Sequence, residues 1–204
     1  TYTTSHPRDM NDELINLHNN SIKLNSYLHL PVQSGSNAIL KAMNRGYTSK
    51  DYLNIVNKVR NKCPDIALSS DFIVGFPGES KSDFKKTIEL VKEVSFAQAY
   101  SFKYSSRPGT KSSRIKIDDI SIEEANDRLH EIQEILNKQQ RVFNSKFLSK
   151  KVEVLVKGKG KKKDQYRGTT KWMQVVNFIS QNPVNSFEKV NLKKISNNSI
   201  SGEV

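Results

Sequence analysis

Three short segments of this chain carry side chains and backbone suited to holding a small ligand. His29-Leu30-Pro31-Val32-Gln33-Ser34-Gly35-Ser36 offers an amide, two hydroxyls and a glycine that lets backbone approach a bound group. Gln33 and Ser34 can hydrogen-bond sugar hydroxyls or a carboxylate, and a helix opening at Ser36 presents N–H groups at its first turn. A capped helix after a strand accounts for the same residues without a ligand. The second segment, Asp71 to Ser80, sets Gly75 and Gly78 around Pro77 in a tight turn, with Ile73 and Phe76 able to face a flat ring. It lacks the spacing and lysine of a phosphate-binding P-loop. The third, Tyr104 to Thr110, brings Arg107 as a cation for an anion or as a plain turn residue.

Other constellations carry less. Four histidines show no nucleophile–base or metal-ligand spacing, and His29, flanked by leucines, reads as an interior histidine. Cys63, before Pro64 at a helix end, reads as structural. Glu123-Glu124 reads as a dipole-favouring first turn.

Each ligand-ready segment needs a strand before it and a helix or strand after it. Tyr27–Leu30 is predicted as a strand, and Ser36 caps a helix to Arg45 with Gly46 beyond it. A second helix opens at Thr48 or Ser49, buries Tyr52, Ile55, Val56 and Val59, and ends at Pro64. Ile66–Val74 is apolar enough for a buried parallel strand, followed by a helix over Ser80–Val94 and a strand over Phe96–Tyr104. A short helix over Met10–Asn20 precedes them, and Thr1–Ser5 reads as a strand end, as in an excerpt of a longer chain. Ser121 and Glu124 have capping-box spacing and open a long helix to Lys150, with Leu129, Ile132, Ile135 and Leu136 inward. Alternating strands and helices imply parallel βα units, with ligands at the loops that follow the strands.

After Lys150 short strands take over: Val152–Val156, Tyr166–Thr170, Met173–Phe178 and Val190–Ile195, with Gly158-Lys159-Gly160 at a hairpin tip. This predicts a small antiparallel barrel. The expected organisation is therefore α/β, with a partial βα domain over 1–150 and a β module over 151–204.

Charge divides the chain at the same place. The formal net charge is +12, and residues 151–204 hold 11 basic and 4 acidic residues, more than half of the excess. Such a field attracts phosphate backbones and weakens with salt. No apolar run approaches the roughly 20 residues of a membrane span. One cysteine excludes a disulfide framework and a thiolate-held cluster within these residues, and fits a reducing, cytoplasmic setting.

Taken in order, His29–Ser36, Met43-Asn44-Arg45-Gly46-Tyr47-Thr48, Asp71–Glu79 and Ser106-Arg107-Pro108-Gly109-Thr110 resemble the radical-SAM methylthiotransferases, and Thr4-Ser5-His6-Pro7 fits them too. The Pro-Val-Gln-Ser-Gly and Asn-Arg-Gly-Tyr forms favour the type acting on isopentenylated adenosine of tRNA. The resemblance implies the C-terminal part of a partial (βα) radical-SAM barrel, then a TRAM-like RNA-binding β-barrel. It implies S-adenosylmethionine near Gln33, Ser34, Val74, Gly75, Phe76, Phe102 and Tyr104, with Arg45 and Arg107 as weaker carry-overs. Lys157, Lys159, Lys161, Arg167 and Lys171 become candidates for RNA phosphates, and the anticodon stem-loop of tRNA the expected partner, with no DNA or membrane. The family's two 4Fe-4S clusters need a CxxxCxxC triad and a second cysteine set, placed upstream in the family and absent here. This chain alone is therefore expected to hold no metal, supply no catalytic residue and do no radical chemistry, and to need the N-terminal part of the same enzyme. A free-standing RNA-binding product of a split gene is the alternative expectation.

Overall fold

The computed structural model describes residues 2, 6–20, 23–106, 109, 120–180, 184–196 and 198–204. A 3-10 turn at Pro7–Asp9 leads into α1 (Asp12–Asn20). Strands β1 (Tyr27–His29), β2 (Ala67–Val74) and β3 (Gln98–Lys103) form a parallel sheet in that order, with β2 central. Helices α2 (Asn37–Ala42) and α3 (Ser49–Lys62) connect β1 to β2, and α4 (Lys81–Val94) connects β2 to β3.

The caps fall where hydroxyl residues precede helical runs. Thr48 and Ser80 each complete a reciprocal capping box, with Asp51 and Asp83. α2 is shorter than its sequence suggests. Asn44 adopts a left-handed backbone (φ 57°), so the helix ends at Ala42 before Gly46 (φ 70°) turns the chain again. Pro64 follows the Cys63 cap and stops α3.

One face of the sheet is packed by helices. Leu68, Phe72 and Val74 share a core with Tyr52, Val56 and Val59 of α3, with Phe84, Ile88 and Val91 of α4, and with Ile132 and Leu136 of the long helix α5 (Ile122–Ser145). Leu129 and Ile135 are only partly buried on that core. Ser121 caps α5 through the Glu124 N–H (3.1 Å), while the Glu124 carboxylate turns to Arg128 (2.7 Å).

The remaining strands, β4 (Lys151–Lys159), β5 (Gln165–Thr170), β6 (Val175–Ile179), β7 (Phe187–Ile195) and β8 (Ile200–Glu203), close into a barrel in the order β4-β5-β6-β8-β7. Four pairings are antiparallel and β6–β8 is parallel. β8 has no counterpart among the predicted strands. Met173, predicted to begin a strand, lies in the preceding turn with φ 60°. The barrel core is Val154, Val156, Val176, Phe178, Val190, Leu192 and Ile200, joined by Phe147 just beyond α5.

α5 thus serves both cores, and polar bonds lock the junction. The Trp172 indole N–H donates to the Asp65 carbonyl (2.9 Å), and the Gln174 amide donates to Asn144 Oδ1 (2.9 Å). Among the described residues no helix is long and apolar enough to cross a membrane. The Thr1–Ser5 strand end, apart from Tyr2, and Arg107 lie outside the described residues.

Candidate cofactor and nucleic-acid sites

The loops following β1, β2 and β3 meet at one end of the sheet, because all three strands run the same way. After β1 the chain does not leave the sheet at once. Leu30 N–H donates to Ser69 O (2.8 Å), Gln33 N–H to Asp71 O (2.9 Å), and Ile73 N–H returns a bond to Gln33 O (3.0 Å). Tyr52 and Tyr47 hydroxyls donate to the carbonyls of Leu30 (3.0 Å) and Val32 (3.1 Å) from beneath. Gln33 is held with φ 73°, and its side-chain amide has no protein partner among the described residues.

Ser34, Gly35 and Ser36 are pinned to α4. Ser34 Oγ lies 3.2 Å from Thr87 Oγ1 and accepts from Ser36 N–H (3.1 Å), while Gly35 N–H donates to Thr87 Oγ1 (3.0 Å). The Ser34 hydroxyl is fully buried in these bonds. Ser36 Oγ donates to Asp83 Oδ1 (2.6 Å), and the Ser80 hydroxyl (2.6 Å) and N–H (3.1 Å) donate to Oδ2. One carboxylate therefore ties the first loop to the second. Burial works to raise the Asp83 carboxyl, but the Ser36 and Ser80 bonds together hold it below the usual range. A carboxyl lowered on folding contributes stability at neutral pH that is lost as pH falls through its folded value. The urea midpoint should fall below about pH 4, and Asp83→Asn should lower the neutral-pH midpoint and flatten that dependence.

Gly75 makes the turn after β2 with φ 71°, which favours glycine. Its N–H donates to Glu79 Oε2 (2.8 Å), which also accepts from Arg128 Nη1 (2.7 Å); the same nitrogen reaches the Glu79 carbonyl (2.9 Å). Burial pushes the Glu79 carboxyl up, against the Gly75 and Arg128 bonds that favour its charge. The Arg128 guanidinium is held above its ordinary value: desolvation opposes its charge, and the Glu124 and Glu79 bonds outweigh that. Sequence reading left Glu79 and Arg128 without roles. Forty-nine residues separate them, so no local pattern announces the pair.

Val74 is fully buried, and its carbonyl accepts from Tyr104 N–H (2.8 Å), extending the ladder past β3. Phe76 and Tyr104 meet edge to face, ring centroids 5.0 Å apart. The Tyr104 hydroxyl is buried without a hydrogen-bond partner among the described residues. Phe102, 53% exposed, stands with Tyr100 on the sheet face away from the helices. His29 lies on that face, its Nδ1 3.0 Å from Ser69 Oγ and its Nε2 3.5 Å from Asp71. Burial is the main cause raising the Tyr27 hydroxyl there, aided by Tyr100 and Asp71 and opposed by a Ser69 bond.

These features suit an adenosyl ligand. An unpartnered amide at Gln33, an orphaned hydroxyl at Tyr104, an aromatic pair and left-handed backbone at Gly75 lie around the strand ends. They do not suit an iron–sulfur cluster. Cys63 is the one cysteine of the sequence, it caps α3, and burial pushes its thiol up, away from the thiolate a cluster needs.

On the barrel, the five basic candidates separate. Gly158 pairs with Arg167 and Lys159 with Tyr166, so Lys157, Lys159 and Arg167 share one hairpin, with Lys161 at its tip. Lys171 lies beyond the far end of β5, its ammonium 4.6 Å over the Trp172 ring. For this hairpin as a candidate phosphate-binding element, replacing Lys157 and Arg167 together by alanine should reduce the slope of log Kd against log salt for an RNA ligand by about 1–2, as read by fluorescence anisotropy across a salt series.

A parallel βα sheet with ligand-ready loops, followed by a closed basic barrel, defines the class, and the family model "Radical SAM superfamily" matches residues 1–91. The tRNA-2-methylthio-N(6)-dimethylallyladenosine synthase of Zymomonas mobilis subsp. mobilis is 46% identical over 202 residues, 99% of this chain and 45% of its own. Its namesake in Erythrobacter litoralis is 45% identical over 203 residues, 100% of this chain and 45% of its own. That of Bartonella bacilliformis is 46% identical over 99% of this chain and 44% of its own. Over essentially all of its residues the chain is similar to these synthases, and its first 91 residues match the radical-SAM model. It spans less than half the length of these curated relatives.

Proposed function

We propose that this chain is the C-terminal part of a tRNA methylthiotransferase that places a methylthio group on C2 of N6-isopentenyladenosine beside the anticodon. The observation that supports it most is identity of 45–46% to synthases of that name over essentially every residue of the chain. S-adenosylmethionine, when bound beside an iron–sulfur cluster, supplies the hydrogen-abstracting chemistry at C2 of the adenine. In this reading the chain binds and orients. Gln33 presents its amide to the ribose or methionine end, and Ser34 shapes that loop from below through Thr87 and Ser36. Val74, Gly75 and Phe76 border the adenine; Phe102 and Tyr104 close the site from β3, the Tyr104 hydroxyl gaining a partner there. Lys157, Lys159, Lys161, Arg167 and Lys171 hold phosphates of the anticodon stem-loop. The cluster ligands lie outside these 204 residues, so the chain acts together with a cysteine-bearing N-terminal part.

Nucleoside mass spectrometry of tRNA from cells lacking the gene tests this. Loss of the methylthio mark with isopentenyladenosine accumulating is the expected result; an unchanged mark would overturn the proposal. Purified chain given S-adenosylmethionine and reductant should form no methylthiolated product, and turnover would contradict the assignment of the ligands elsewhere.

A further inference from the structure

The outer face of the barrel carries a row of side chains that runs from an exposed phenylalanine to Val175, which lines a cleft against α5. Phe187 of β7 pairs with Leu155 of β4, Leu155 with Thr169 of β5, and Thr169 with Val175 of β6. These residues alternate with the core positions Val154, Val156, Val176 and Val190, so they point outward. Phe187 is 63% exposed at one end of the row, although burial of a phenylalanine side chain is favourable by about 1.5–3 kcal/mol.

Cations lie on the same outer face, on β4, β5 and β7. Lys157 stands two positions along β4 from Leu155, and Arg167 two positions along β5 from Thr169; both are exposed. Lys189, two positions along β7, is exposed opposite Glu153. The barrel is closed, so no strand edge is free to receive an extended peptide. The outside of a small barrel is convex and gives an apolar side chain no pocket to fill. An aromatic face among cations on a convex surface suits a planar π-system carrying phosphates.

We propose that Phe187 is a stacking platform for an unpaired base of the bound RNA, with Lys157 and Arg167 holding the phosphates beside that nucleotide. This rests on the RNA-binding reading above and adds to it a contact that salt does not screen. Stacking needs an accessible base face, so it distinguishes a loop from a duplex.

The test is fluorescence anisotropy of the intact protein with a labelled RNA stem–loop and with a blunt duplex of the same stem. Phe187→Ala should weaken stem–loop binding about 5- to 100-fold, leave the duplex unchanged and leave the salt slope unchanged; Phe187→Trp should restore binding. Unchanged stem–loop affinity in Phe187→Ala, or equal loss on both RNAs, overturns the proposal. If Lys157→Ala/Arg167→Ala weakens both RNAs while Phe187→Ala weakens neither, the RNA reading stands and the stacking contact fails; if neither variant affects binding, both fail. A wild-type dimer that Phe187→Ala converts to monomer, with RNA affinity intact, assigns the ring to self-association and overturns the proposal. The residue is exposed, so an unchanged thermal melt is the expected control.

Discussion

Arg128→Met destabilises the protein by about 3–5 kcal/mol, because it strands a buried carboxylate. In the native chain Glu79 Oε2 shares two donors, Gly75 N–H at 2.8 Å and Arg128 Nη1 at 2.7 Å, while Oε1 is buried with no partner among the described residues. Removing the guanidinium leaves Gly75 as the remaining donor and frees the Glu124 carboxylate at the start of α5. Burial already pushes the Glu79 carboxyl up, so in the variant it takes a proton more readily. The deficit should therefore be smallest in mild acid and grow as pH rises, as urea unfolding at two pH values would measure. Glu79→Gln combined with Arg128→Met should recover part of the loss, since a neutral amide is cheaper to bury than a lone charge. Cofactor affinity should fall with the single variant even below its melting temperature, because the Gly75 turn is one of the groups this pair holds.

Gly35→Ala produces the second large effect, for steric reasons. A Cβ at Gly35 would sit 2.4 Å from the Lys86 carbonyl oxygen and 2.6 Å from Thr87 Cα. Both are backbone atoms of α4, which cannot rotate aside, so the loop and helix must separate. That breaks the Gly35 N–H bond to Thr87 and loosens the Ser34 and Asp83 contacts with it. A loss of about 2–3 kcal/mol is expected, with a matching drop in thermal midpoint. Gly158→Ala is the control: nothing lies within 4 Å of its added carbon, and its stability should stay within about 0.5 kcal/mol of the parent.

The two predictions mark what could and could not be read from the sequence. Local grammar was legible. Thr48, Ser80, Ser36 and Ser121 cap the helices they precede, and the apolar periodicity of α3 and α4 names the residues that reach the core. The positions of the loops after β1 and β2 were legible because glycine and hydroxyl residues cluster where those strands end. Contacts across the fold were not. Arg128 reaches Glu79 from another element, and Glu124, spaced for a capping box, is drawn to Arg128 because a charged partner one turn away outcompetes the cap's backbone N–H. Ser34 has the same chemistry whether it faces a ligand or Thr87; only the packing of α4 shows its hydroxyl engaged inside. Four-residue β8 falls below what alternation can signal, yet it closes the barrel through one parallel and one antiparallel pairing.

The central claim is that the loops after β1, β2 and β3 hold an adenosyl ligand. Its most direct test is an amide-resolved NMR titration of the chain with S-adenosylhomocysteine, a ligand that needs no cluster chemistry. Saturable shifts concentrated at Gln33, Gly75, Phe76 and Tyr104, with the barrel amides unmoved, are the predicted result. No saturable shift at those four residues, or shifts confined to the barrel, would contradict it.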